Sequence, residues 1–105
     1  MLKPYINRQT TNSLPMKPND MTIVYNNQPW MYSLLKDKPS GVYYLEVVCG
    51  STFLYNVYLR LTDEEVATFL PDVAADKEHN MTALAKQVMH YGGHGIAGRE
   101  YLRPA

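Results

Sequence analysis

Three histidines, one cysteine and a run of carboxylates are the side chains of this chain that could do chemistry. His90 and His94 are four apart, the spacing that sets two metal ligands on one helix face. Gly92 and Gly93 stand between them and interrupt any such helix, and a third ligand would have to come from His79 or a distant acid. The pair therefore reads as polar residues at a helix end, where histidine complements the dipole. Gly92-Gly93-His94-Gly95, with Gly98-Arg99 behind it, invites comparison with a phosphate loop. Such a loop follows a strand and opens a helix, whereas this one follows a helical pattern, so it reads as a terminator and a link to the tail. Cys49 as a nucleophile would need a nearby base and a lowered pKa, but it falls on an apolar alternating face, where burial raises the pKa. Glu46 and the Asp63–Glu65 set have no partner carboxylate or histidine at a telling spacing. The expectation is a chain that is not an enzyme and takes no metal or cofactor. A metal-assisted hydrolase built on His90 and His94 is the enzyme-class alternative.

The elements that must position these groups are legible from periodicity. The chain has 105 residues, 46% of them apolar and 19% charged, which suits one folded domain with a single core. Residues 1–20 hold Pro4, Pro15 and Pro18 and no periodic apolar face, and read as a loosely ordered arm before a domain over 21–105. Met21–Tyr25 is a first strand, followed by the turn-prone Asn26-Asn27-Gln28-Pro29. Trp30–Leu35 is a second strand with Trp30, Tyr32 and Leu34 on one face; a short helical turn is the rival reading. Lys36–Gly41 is a loop. Tyr43–Cys49 and Phe53–Leu61 are two further strands in which nearly every odd position is apolar, so the odd face is the expected core face. A three-residue loop, Gly50-Ser51-Thr52, keeps the two apolar sets together and pairs Cys49 with Phe53, Val47 with Tyr55 and Leu45 with Val57.

Thr62-Asp63-Glu64-Glu65 is a capping box that starts a helix, with three acids in the first turn to complement the dipole. Val66, Phe69 and Leu70 form its apolar face, and Pro71 is expected to stop it. Met81, Leu84, Ala85 and Val88 set out a second helix, with Asn80 as cap and Gly92-Gly93 as stop. A few extended residues are expected at Arg99–Arg103. The fold class is therefore α+β: an antiparallel meander sheet of about four strands followed by two helices packed on one face.

Charge narrows the function classes. The formal net charge is zero, and residues 62–78 carry Asp63, Glu64, Glu65, Asp72, Asp76 and Glu78 against Lys77 alone. A balanced chain with one acidic stretch lacks the basic face that nucleic acid requires, so no nucleic-acid partner is expected. No apolar run approaches the roughly 20 residues that cross a bilayer, and no apolar segment follows Lys3 to make a secretory signal. With a single cysteine, a cytoplasmic protein with no membrane partner is expected. The even sheet face is mixed, with Tyr44, Val48, Leu54 and Tyr58 all large. A segment of the same chain, a second copy or a partner protein could cover it.

Pro29-Trp30-Met31-Tyr32-Ser33, the strand Tyr43–Gly50 ending in Val-Cys-Gly, the aromatic return strand through Tyr55, and Leu61-Thr62-Asp63-Glu64-Glu65-Val66 resemble the small immunity proteins of bacterial polymorphic toxin systems. The resemblance spans roughly residues 22–70. It implies a cytoplasmic, non-enzymatic α+β protein that neutralises a cognate toxin by binding it, most simply by occluding its active site. The residues expected to meet the partner are Tyr44, Glu46 and Tyr58 on the non-core sheet face, and Asp63, Glu64 and Asp72. Were the toxin a nuclease with a basic cleft, those acids would mimic phosphate charge. A homodimeric structural or adaptor protein pairing through Tyr44 and Tyr58 is the alternative.

Overall fold

The computed structural model describes residues 21–102, so the expectations for residues 1–20 lie outside it. Five strands form one antiparallel sheet in the order of the sequence: β1 Thr22–Asn27, β2 Tyr32–Asp37, β3 Val42–Cys49, β4 Tyr55–Arg60 and β5 Tyr101–Leu102. Two helices, α1 Asp63–Ala74 and α2 His79–Tyr91, lie between β4 and β5. The meander of four strands is as the alternation predicts, and the extended tail adds a fifth strand beside β4. Both helices pack on one face, where Tyr32, Leu34, Leu45, Val47, Cys49, Leu59 and Leu61 from the sheet meet Phe69, Met81, Ala85 and Val88. The Tyr32 hydroxyl, deep in this layer, lies 2.9 Å from the Thr82 hydroxyl and so ties β2 to α2.

Parity along β3 and β4 holds, but the register is two residues away from the expected one. Cys49 faces Tyr55, Val47 faces Val57 and Leu45 faces Leu59. Consequently Glu46 lies opposite Tyr58 and Tyr44 opposite Arg60. The connecting loop is five residues, Gly50–Leu54, rather than three. Alternation fixes which face a residue takes, and a shift of two preserves it. The longer loop sets Leu59, completely buried, against the equally buried Leu45, and releases Phe53 to solvent. Gly50 makes this possible: its φ is +98°, and a Cβ there would collide with the carbonyl of Phe53.

Three further expectations are corrected. The second strand starts at Tyr32; Trp30 and Met31 belong to the turn before it, where Met31 has φ +57° and its N–H bonds to the Gln28 carbonyl at 3.1 Å. Pro71 does not stop α1, which runs on to Ala74. The carbonyl that Pro71 cannot serve belongs to Ala67, an exposed residue that water can reach. Val73 prolongs the stripe of Val66, Phe69 and Leu70 against the core, which holds the extra turn in place. Asn80 does not cap α2: the cap position is Glu78, and the Asn80 amide instead donates to Asp72 Oδ2 at 3.0 Å, pinning the first turn of α2 to α1.

The capping box is formed as expected. Thr62 Oγ1 accepts from the Glu65 N–H at 3.1 Å, and Glu65 Oε1 accepts from the Thr62 N–H at 2.9 Å. The same carboxylate also takes both arms of the Arg99 fork, at 2.6 Å and 3.1 Å, while Arg99 donates a third bond to the Arg60 carbonyl at 3.2 Å. This pair is only about a fifth exposed, and its bidentate geometry makes it stronger than the solvated Arg60–Glu100 pair. Arg99→Ala should cost about 1–2 kcal/mol. Amide exchange should accelerate at Arg60 and Leu102 before the rest of the sheet. Arg99→Lys should recover little of this, because an ammonium cannot reproduce the fork.

Candidate binding surface

The six residues expected to bind a partner are not brought together. Tyr44, Glu46 and Tyr58 lie on the sheet face turned away from the helices, whereas Asp63, Glu64 and Asp72 sit on α1, which packs on the opposite face. Tyr58 is only 7% exposed, in a small cluster with Met21 and Leu35 that Tyr44 and Leu102 flank, so it offers little surface. Its hydroxyl accepts from the Asn56 amide at 3.2 Å, and burial pushes its pKa up. Asp63 and Glu64 are exposed in the first turn of α1; Asp72, half-buried, is engaged by Asn80. His90 and His94 are exposed on either side of the α2 terminus, and among the described residues no three histidine, cysteine or acidic side chains gather to hold a metal.

Cys49 is buried on the core face, and desolvation raises its pKa. Tyr32, Tyr44 and Tyr58 are raised for the same primary reason. Each group ionises later in the folded chain than in the unfolded one. Their contribution to stability is therefore intact below the unfolded pKa values, about 8.5 for cysteine and 10 for tyrosine, and is lost as pH rises past them. Urea midpoints should hold level between about pH 6 and 8 and then fall, the earliest part of the fall disappearing in Cys49→Ala. A thiol reagent should label Cys49 only as the chain unfolds.

A different surface emerges at one end of the sheet. The β1–β2 turn and the β3–β4 loop lie side by side there, since the Val48 N–H donates to the Met31 carbonyl at 3.0 Å. The second half of α2 crosses the same end: Lys86 Nζ stands 4.2 Å from the centre of the Trp30 ring, and a Cβ on Gly92 would sit 3.0 Å from the Tyr55 hydroxyl. Among the described residues seven large apolar side chains are exposed, and six of them are here: Trp30, Met31, Phe53, Leu54, Tyr55 and Tyr91. Phe53 is 84% exposed and Leu54 62%. Scattered exposed apolar residues are ordinary; their concentration at one end is what marks an interaction surface.

The composition around this end is also one-sided. Residues 21–36, 47–62 and 79–99, which build it, contain no aspartate or glutamate, while Lys86 and His90 stand beside it. Strict alternation hides this surface in the sequence, because it puts Phe53 and Tyr55 on the core face and Trp30 on a strand face with Tyr32 and Leu34. The signal was nevertheless present. Trp30-Met31 and Phe53-Leu54 are adjacent apolar pairs directly behind turn-forming residues, and a one-sided strand cannot bury both members of such a pair. No protein-family model, curated protein or solved structure matches this chain significantly. Among the described residues, no helix is long and apolar enough to cross a membrane.

Proposed function

We propose that this chain is a non-catalytic binding protein of the immunity type, which neutralises a cognate bacterial toxin by covering its working surface. The observation that carries the reading is the aromatic end: Trp30, Phe53, Tyr55 and Tyr91 exposed together on a rigid sheet-and-helix frame. Aromatic side chains contribute large contact area at low entropic cost and dominate the centres of protein interfaces. A second reading, in which acids meet a basic cleft, rests on Asp63 and Glu64, exposed at the start of α1. The two readings separate by mutation. Co-expression with the product of the neighbouring reading frame should yield a complex and rescue cells from its toxicity. Changes at Trp30 and Phe53 should abolish both effects, whereas Glu64→Lys with Asp72→Lys should only slow association at low salt. Absence of any complex or rescue would refute the immunity role. Loss on charge reversal alone would move the interface to α1.

A further inference from the structure

The apolar side chains of the aromatic end stand on two short connections whose backbones are tied down. In the β1–β2 turn the Trp30 N–H donates to Asn27 Oδ1 at 3.1 Å, and the Met31 N–H donates to the Gln28 carbonyl at 3.1 Å. In the β3–β4 loop the chain folds back so closely on Gly50 that the Phe53 carbonyl fills the place of a Cβ. The bond from the Val48 N–H to the Met31 carbonyl fastens one connection to the other. Phe53 and Leu54 nevertheless remain mostly exposed, so they project from this frame. A projecting pair is desolvated fully only by a recess in what it meets, and an ordered backbone loses little entropy on filling one.

The charge at this end is equally specific. Residues 22–35, 48–59 and 79–98 contain one lysine, Lys86, and no arginine, aspartate or glutamate. Lys86 forms no ion pair among the described residues, and its Nζ lies 4.2 Å from the centre of the Trp30 ring. A partner that covers Trp30 must also take water from this ammonium, which is costly unless the partner brings a carboxylate to it. A bilayer is the poorer match, because anionic lipid is recognised by clusters of about four to eight basic residues and this end has one lysine. So is a second copy of the chain, since a symmetric contact would bring two Lys86 charges into one interface.

We propose that Phe53 and Leu54 insert into an apolar recess of the partner protein whose rim carries a carboxylate that pairs with Lys86 beside Trp30. The inference rests on the binding role above and names the chemistry of the surface that is bound. It also excludes the basic cleft of a nuclease as that surface, because Lys86 would be held there against like charge.

Trp30 is the only tryptophan of the chain, so its fluorescence reports on this end alone. In the dilute full chain it should be open to quenching by acrylamide. The purified product of the neighbouring reading frame should shield it and shift its emission to the blue. Calorimetry with that product should show Lys86→Glu weakening the complex about 30-fold or more, and Lys86→Gln only about three- to tenfold. Phe53→Trp enlarges a side chain that lies outside the core. It should weaken binding about tenfold or more, because a closed recess rejects the added volume and an open surface accepts it. The inference is overturned if Lys86→Glu binds as well as the natural chain or better, or if Phe53→Trp binds undiminished. Trp30 already shielded in the dilute free chain would make this end the seat of the protein's own residues 1–20. Shielding that grows with concentration would assign it to a second copy, and a blue shift on vesicles of phosphatidylcholine and phosphatidylserine would assign it to a bilayer. Each of these three results overturns the inference. If Lys86→Glu and Phe53→Trp keep full affinity while Trp30→Ala and Phe53→Ser lose it, only this inference fails. Absence of any complex removes the binding role and this inference together.

Discussion

Leu59→Ala should lower the stability of this protein by about 3 kcal/mol, within the range for truncating a fully buried leucine. Leu59 has no exposed surface and faces Leu45, also fully buried, at the centre of the layer between sheet and helices. The loss combines the transfer free energy of the removed carbons with a cavity that a β-sheet cannot easily close. A domain of this size is stable by roughly 5–15 kcal/mol, so the substitution removes a large fraction of the total. Urea denaturation should show the midpoint falling by more than about 1 M with an unchanged slope. Phe53→Ala is the matched control. With 84% of the residue exposed, it should alter stability by no more than about 0.5 kcal/mol. Were Phe53 a core residue facing Cys49, its truncation would cost about 3–5 kcal/mol. Equal effects at the two positions would overturn the five-residue loop.

Trp30→Ala and Phe53→Ser should each weaken partner binding about 30-fold or more, the effect of losing a hot-spot side chain of about 2 kcal/mol. Both leave the fold nearly as stable as before, because neither side chain contributes to the core. The Lys86 ammonium stacks on the Trp30 ring, an interaction worth about 0.5–1 kcal/mol at an exposed site, while the Trp30 N–H bond to Asn27 Oδ1 survives truncation to alanine. Lys86→Ala therefore serves as the companion variant: it removes that stacking and the local charge while leaving the indole in place. If Lys86→Ala matches Trp30→Ala in binding, charge rather than aromatic contact is the source of affinity. If Trp30→Ala and Phe53→Ser bind normally, the aromatic end is not the interface. Calorimetry with the purified partner, run beside urea unfolding of each variant, separates lost contact from lost fold.

Local patterns carried most of the architecture. The capping box at Thr62 and the alternation through Tyr43–Cys49 are short-range features, and the folded chain keeps both. Register is a different kind of quantity. Alternation repeats every two residues, so pairings that differ by two residues look alike in sequence, and only the packing of Leu45 on Leu59 and the positive φ that Gly50 permits choose between them. That single step moved Phe53 from the interior to the surface and hid the exposed aromatic end. Pro71 misled for a related reason. A missing N–H predicts a break when considered alone, but Val73 lies on the stripe that the core already holds. Asn80, read as a local cap, found its partner eight residues back, in Asp72.

The Glu65 carboxylate closes the capping box of α1 and at the same time receives the Arg99 fork that holds β5 in register. The position of that carboxylate is set only once the first turn of α1 has formed. The register of β5 therefore depends on residues far from it in the chain: the hairpins of β1–β4 and the first turn of α1 are built from neighbouring residues, whereas β5 is tied to the sheet through a side chain 34 residues away. One acid side chain thus couples the end of the sheet to the beginning of a helix, so that fraying of either should loosen the other.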